Sequence, residues 1–176
     1  GDQIDIHTSG IDHIPVHHSN EIAQSESAND ATLSNYWLHN NFMNEKDRKI
    51  SKSLGNGYTL SDLTAKGFSP MDFKMLVLQG HYRNEAIFSF ESIQAAKNRL
   101  DSWKAVAALR HQIHDTLKSQ SDMNDDKHII PPYATPRAIL EAISNDLGTP
   151  EALKIIDAAF NDINNVSLSR INQDSL

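Results

Sequence analysis

Ile93, Ala96, Leu100, Trp103, Ala107, Ile113 and Leu117 fall on three- and four-residue steps between Phe90 and Lys118. No other pattern in the chain constrains the fold as much. A stripe of that period lies along one face of an α-helix and must be buried against something. A second apolar face follows at Leu153, Ile156, Phe160 and Ile163. Thr135-Pro136 and Thr149-Pro150 each read as a helix start, a hydroxyl N-cap followed by Pro at the first helical position. The polar linker Ser119 to Lys127 and the pair Pro131-Pro132 separate the long helix from these starts. The chain from about residue 88 therefore reads as an α-helical bundle, with a polar, frayed tail after Val166.

The part before residue 88 reads differently. Ile4 and Ile6 alternate with Asp5 and His7, as at the end of a strand, and Thr8-Ser9-Gly10 reads as a turn. Asp12 to Pro15 reads as irregular, and His17 to about Ser27 as helical. Tyr36-Trp37-Leu38 is expected to form a short buried strand, and Phe42-Met43 a second. Leu60 to Lys66 and Pro70 to Leu78 read as short helices broken at Gly67. No segment repeats another.

The 176 residues suit one domain, or a small domain with a helical appendage. Hydrophobic residues make up 39% and charged residues 22%, so a core can form alongside polar stretches. A net charge of −7 argues weakly against a nucleic-acid partner, but a footprint is local, and Lys46, Arg48, Lys49 and Lys52 cluster. Without cysteine there is no disulfide framework. No apolar run approaches the about 18 residues of a membrane helix. With no signal peptide apparent, a soluble, cytoplasmic and monomeric protein is the expectation.

Lys49-Ile50-Ser51-Lys52-Ser53, followed by Leu54-Gly55-Asn56-Gly57, places two ammonium groups three residues apart among hydroxyls. Such a loop can clamp polyphosphate. The lysines supply movable charge, the hydroxyls and backbone N–H groups supply hydrogen bonds, Ile50 anchors, and Gly55 and Gly57 give the backbone freedom. The clamp aids catalysis only if it grips the transferring phosphoryl charge more tightly in the transition state than in bound ATP. Taken alone, K-x-S-K-S reads as a solvated basic turn.

The nine histidines are crowded, with four between His7 and His18. His17 and Glu21 are four apart, which on a helix puts both on one face. Imidazole nitrogen and carboxylate oxygen are both zinc ligands, yet two do not fill a tetrahedral site. An isolated H-x-x-x-E is more often a helix-surface pair.

Context adds a resemblance. Ile50 to Asn56, ISKSLGN, resembles the KMSKS signature of class I aminoacyl-tRNA synthetases, with Ile50 in place of Met. Asp5 to Glu26, DIHTSGIDHIPVHHSNEIAQSE, resembles the cysteine–tRNA ligase segment around G-G-x-D and P-H-H-E-N-E-I-A-Q-S. YWLH at Tyr36, GHYR at Gly80 and NDLGTPEAL at Asn145 continue it in the family's order, from about residue 4 to about residue 165.

The resemblance implies ATP-dependent activation of cysteine and its transfer to tRNA(Cys). Lys49 and Lys52 would act in catalysis, and Lys52, Ser51 and Ser53 would hold ATP, with Mg2+ accompanying it. His7 would line the amino-acid pocket and Asp12 would lie near the adenylate. His17 and Glu21 would be two of four zinc ligands, the family's other two being cysteines. The zinc would hold the substrate thiolate and so discriminate against serine. The implied fold is α/β: the second half of a Rossmann-like catalytic domain at 1–87, then an α-helical, tRNA-side bundle at 88–176, mainly α overall.

Some positions depart from the pattern. Val16 stands where Pro usually precedes the two histidines, with Pro15 displaced by one. Ser19 replaces the first Glu of H-H-E-N-E, and Ser9 replaces a glycine. The upstream HIGH-type motif and both cysteine ligands are absent from these residues, so the isolated chain is expected to be inactive. A cysteine ligase acting on an amino sugar and a non-catalytic tRNA-binding or stable-core module are the competing readings. Trp37 and Trp103 read as core residues rather than base-stacking platforms. His81, Tyr82 and Arg83 read either as tRNA or ATP contacts or as structural pairs, and His111 and His114 as solvated.

Overall fold

The computed structural model describes residues 3–45, 48–49, 57–108 and 134–165. Lys52, Ser51, Ser53, His111 and His114 lie outside the described residues, as does the long helix beyond residue 108. The chain forms two compact units. One runs to Gly57 and takes in Tyr82–Ser89; the other comprises Tyr58–His81 and the chain from Phe90 onward. Among the described residues no helix is long and apolar enough to cross a membrane.

The first unit opens with β1 (Ile4–Gly10), a 3-10 turn (Ile11–His13), a π-helical turn (Ile14–His18) and α1 (Ser19–Asn29). β2 (Ser34–Asn40) then pairs parallel to β1. Parallel strands need a crossover, and α1 supplies it, giving a β-α-β unit. α1 ends where Asp30 takes the left-handed conformation at φ 50° and its N–H donates to the Glu26 carbonyl. The Glu26 carboxylate accepts from Leu33 N–H at 3.1 Å, tying the helix end to the approach of β2.

Two segments differ from what their residues suggest locally. Thr8-Ser9-Gly10 is strand, not turn, because it pairs with Leu38, His39 and Asn40 of β2. Pairing across the sheet outweighs the local turn preference. Tyr36-Trp37-Leu38 is strand but not uniformly buried: Tyr36 is 70% exposed.

A second small sheet has the order β4-β3-β5, with β3 at Met43–Glu45, β4 at Arg48–Lys49 and β5 at Ala86–Phe88. β3 runs antiparallel to β4, setting Asn44 opposite Lys49, and parallel to β5, setting Met43 opposite Ala86. Asn41 braces the return of the chain: its N–H donates to the Tyr82 carbonyl at 2.7 Å and its Nδ2 to that of Arg83 at 3.0 Å.

The second unit is helical: α2 (Leu60–Ala65), α3 (Pro70–Leu78), α4 (Phe90–Ala107), α5 (Ala134–Ser144) and α6 (Thr149–Asn165). α2 and α3 each start with a reciprocal capping box, Thr59 with Asp62 and Ser69 with Asp72. Gly67, at φ 86°, makes the left-handed turn between them. Ile93 and Ala96 of α4 are fully buried, as their spacing demanded. Met75, Ala96 and Leu153 form a core cluster that joins α3, α4 and α6, with Leu100, Trp103 and Ile156 around it. Burying each large aliphatic side chain contributes about 1.5–3 kcal/mol. Asp157 clamps α6 to α4: it accepts from Arg99 Nε at 3.1 Å, Arg99 Nη2 at 2.6 Å and Trp103 Nε1 at 2.8 Å. Trp103 is thus a packing residue with a satisfied N–H.

The Thr149 hydroxyl does not cap α6. It donates to the Gly80 carbonyl at 3.4 Å, and the Gly148 carbonyl accepts from Ala152 N–H instead. His81 Nε2 lies 2.9 Å from the Asp146 carbonyl, so this histidine makes a structural contact with the α5–α6 connection.

Candidate metal centre

β1 and β2 build the floor of a histidine cluster. Side chains two apart on a strand share a face, and residues in register across a pair meet on it. His7 and Ser9 are two apart, and they lie opposite Trp37 and His39. The 3-10 and π-helical turns carry His13, His17 and His18 to this place, and the first turn of α1 adds Glu21.

His18 is the buried centre, 3% exposed. Its Nε2 lies 3.0 Å from Ser9 Oγ and its Nδ1 2.8 Å from His39 Nε2. Its ring packs on His7 and Trp37, with centroids at 4.6 and 4.7 Å. Burial, then the neighbouring His7 and His39, push its pKa below the ordinary 6.5, so the ring is held neutral.

Glu21 is half-buried and uses both oxygens. Oε2 is 2.8 Å from His7 Nε2 and Oε1 is 3.3 Å from His17 Nε2. The hydrogen bond from His7 is the main reason its carboxyl is held below the ordinary 4.5. His17 is exposed, at 57% of its side-chain surface.

The departures at Ser9 and Ser19 both have structural partners. Ser9 reaches His18, as above, and the Ser19 hydroxyl donates to the Ile14 carbonyl at 2.9 Å, closing over the π-helical turn. Pro15 sits at the start of that turn, where no N–H is required. Asp12 is exposed in the 3-10 turn, with its carboxylate against Gly10: a Cβ there would fall 2.6 Å from Asp12 Oδ1.

The His17–Glu21 pair fits a zinc ion. Two ligand atoms about 2.0–2.1 Å from one tetrahedral metal stand about 3.3 Å apart. Such is the observed separation. His7 holds the other oxygen of the same carboxylate. Of the expected site residues, His7, His17 and Glu21 come together here. Lys49 lies in β4, opposite Asn44. Sequence reasoning passed over Ser9, His13, His18, Trp37 and His39. The crowding of histidines signalled some of them, but the strand register that joins them is not a local signal.

The family model described as tRNA synthetases class I (C) catalytic domain matches residues 1–98, and the chain belongs to that family. Its curated relatives include three proteins called cysteine–tRNA ligase. The one from Treponema denticola is 41% identical over 87% of this chain and 33% of its own length. That from Opitutus terrae is 39% identical over 87% of this chain and 30% of its own. That from Borrelia turicatae is 36% identical over 96% and 35%. The chain thus spans about a third of the length of these relatives. Among solved structures, the LeuRS of Agrobacterium radiobacter K84, in a ternary complex with tRNA and LeuAMS, aligns at TM-score 0.70 and 15% identity. It covers 97% of this chain and 24% of its own, and the likeness is one of fold.

Proposed function

We propose that these residues are the part of a cysteine–tRNA ligase that contributes one imidazole and one carboxylate to a zinc site, together with the lysine loop that handles ATP. The observation that carries the reading is the 3.3 Å separation of His17 Nε2 and Glu21 Oε1, at the start of a crossover helix between parallel strands. His17 and Glu21 would hold the ion, and two cysteines from outside these residues would complete it. When bound, the zinc supplies an acceptor for the substrate cysteine thiolate, which a serine hydroxyl matches poorly.

The chain's own groups do the rest. His7 donates to Glu21 and fixes the carboxylate. His18 and Trp37 fill the floor and exclude water from it. Asp12 stands at the rim, near the adenylate. Lys49 and Lys52, with the hydroxyls of Ser51 and Ser53, grip the ATP phosphates and their Mg2+ as charge develops. The helical region from about residue 88 packs on the tRNA(Cys) side.

The test is ATP–pyrophosphate exchange by the full parent protein with cysteine and with serine. Exchange with cysteine, lost in His17→Ala and in Lys52→Ala, is expected. The isolated chain, short of half the ligand set, is expected to give none. A parent inactive with cysteine overturns the assignment. A parent that exchanges with cysteine yet leaves tRNA mobility unchanged in a low-salt gel shifts it to an amino-sugar acceptor.

A further inference from the structure

Ser9 and His39 stand opposite each other in the register of β1 and β2, and the His18 ring bridges them. Its Nε2 lies 3.0 Å from Ser9 Oγ and its Nδ1 2.8 Å from His39 Nε2. Two directions of donation fit a neutral ring with one N–H. In the first, the Ser9 hydroxyl donates to Nε2 and Nδ1 donates to His39. In the second, His39 Nε2 donates to Nδ1 and His18 Nε2 donates to Ser9 Oγ. Two neighbours favour the second. The Gly10 carbonyl, which can only accept, lies 3.1 Å from Ser9 Oγ and takes its single proton. Glu21 Oε2 stands 3.9 Å from His18 Nε2, and a carboxylate favours an N–H over a lone pair facing it. The second direction makes three hydrogen bonds and the first makes two.

We propose that Ser9 and His39 are positioning residues that lock His18 as its Nε2–H tautomer and, through its ring, hold His7 in line with Glu21. His7 packs on His18 at 4.6 Å between centroids and donates to the Glu21 carboxylate at 2.8 Å. A buried ring engaged at both nitrogens does not turn, so His7 has a fixed wall beside it. Ser9 stands where the resembled pattern has glycine, which offers no hydroxyl. The lock therefore belongs to this chain rather than to the pattern. Its hydrogen bonds rest on geometry alone, and its effect on substrate rests on the synthetase reading.

Long-range 15N–1H correlation of the imidazoles reads the lock on the 176-residue chain, with far-UV circular dichroism as the fold control. His18 is expected to carry its proton on Nε2. In Ser9→Ala that proton should exchange with water about fivefold faster or more, the scale of one lost hydrogen bond, and the His7 Nε2 proton should shift. Ser9→Thr, which keeps the hydroxyl, should restore both signals, and His39→Gln, which keeps a donor, should disturb them less than His39→Leu. A proton on Nδ1 of the unaltered chain overturns the proposal, a result that does not depend on the variants folding. Unmoved His18 and His7 signals in Ser9→Ala also overturn it. In the parent protein, Ser9→Ala is expected to raise the KM for cysteine about three- to tenfold and to leave the KM for ATP unchanged. An equal rise in both makes Ser9 a residue of the fold and overturns its positioning role. A parent that shows no exchange with cysteine before any substitution removes the synthetase reading instead, and the tautomer of His18 in the chain still decides the lock.

Discussion

His7 Nε2 stands 2.8 Å from Glu21 Oε2, so a strand residue and a helix residue fourteen positions apart share one carboxylate with His17. If Glu21 holds zinc as proposed, removing His7 frees its carboxylate to turn away from the ion. In the parent protein with its full ligand set, His7→Ala is expected to lower zinc affinity about 10–100-fold. Competition against a chelator of known affinity checks this, and His7→Gln, which can still donate, should recover part of the loss.

Thr59 caps α2 with both its groups. Its N–H donates to Asp62 Oδ2 at 2.8 Å and its hydroxyl to the same oxygen at 2.7 Å. These bonds, the backbone one first, hold the Asp62 carboxyl below its ordinary 3.8. A carboxyl depressed on folding adds stability that is fully present above the unfolded pKa and is lost as pH falls through the folded one. Below pH 3.8 this contribution should therefore fade. Thr59→Ala should cost about 1 kcal/mol of stability through the lost cap. A carbon-13 titration of Asp62 should then show its pKa moving up toward 3.8.

Asp157 meets three donors from α4, two from Arg99 and one from Trp103. The site is only part-buried, so solvent screens the ion pair. Asp157→Ala is expected to destabilise the second unit by about 1–3 kcal/mol, mainly by leaving the Trp103 N–H and the Arg99 fork unpaired. Urea unfolding followed by tryptophan fluorescence reads this directly.

Gly148 has no room for a side chain. A Cβ would fall 2.7 Å from the Ala142 carbonyl oxygen and 3.2 Å from that of Asn145. Both are backbone atoms, so the connection itself must shift. Gly148→Ala is expected to cost about 1–3 kcal/mol in thermal unfolding and to loosen the Gly148 N–H bond to Ala142.

How much the sequence disclosed depended on how local each cause was. α3 runs Pro70–Leu78 as read, because a serine cap, a proline and an acidic third residue sit within four positions. The buried stripe at Ile93 and Ala96 was equally plain. β5 went unread: three residues make no periodic signal, and its partner β3 lies some forty positions earlier. The His17–Glu21 pair was visible from spacing. The placing of His18 against His39 was not, since it arises from the β1–β2 register and from a π-helical turn where the residues suggested only irregularity. The lysine-serine run was the plainest motif, and Lys52 lies outside the described residues.

The parallel pairing of β3 with β5 also sets an order of events on the ribosome. Met43 emerges first, and its partner Ala86 follows only after α2 and α3 have been synthesised. The nascent chain must carry one side of β3 unmatched through that interval. Translation pausing between these two points would lengthen the exposure, and release of the chain before Ser89 would make it permanent.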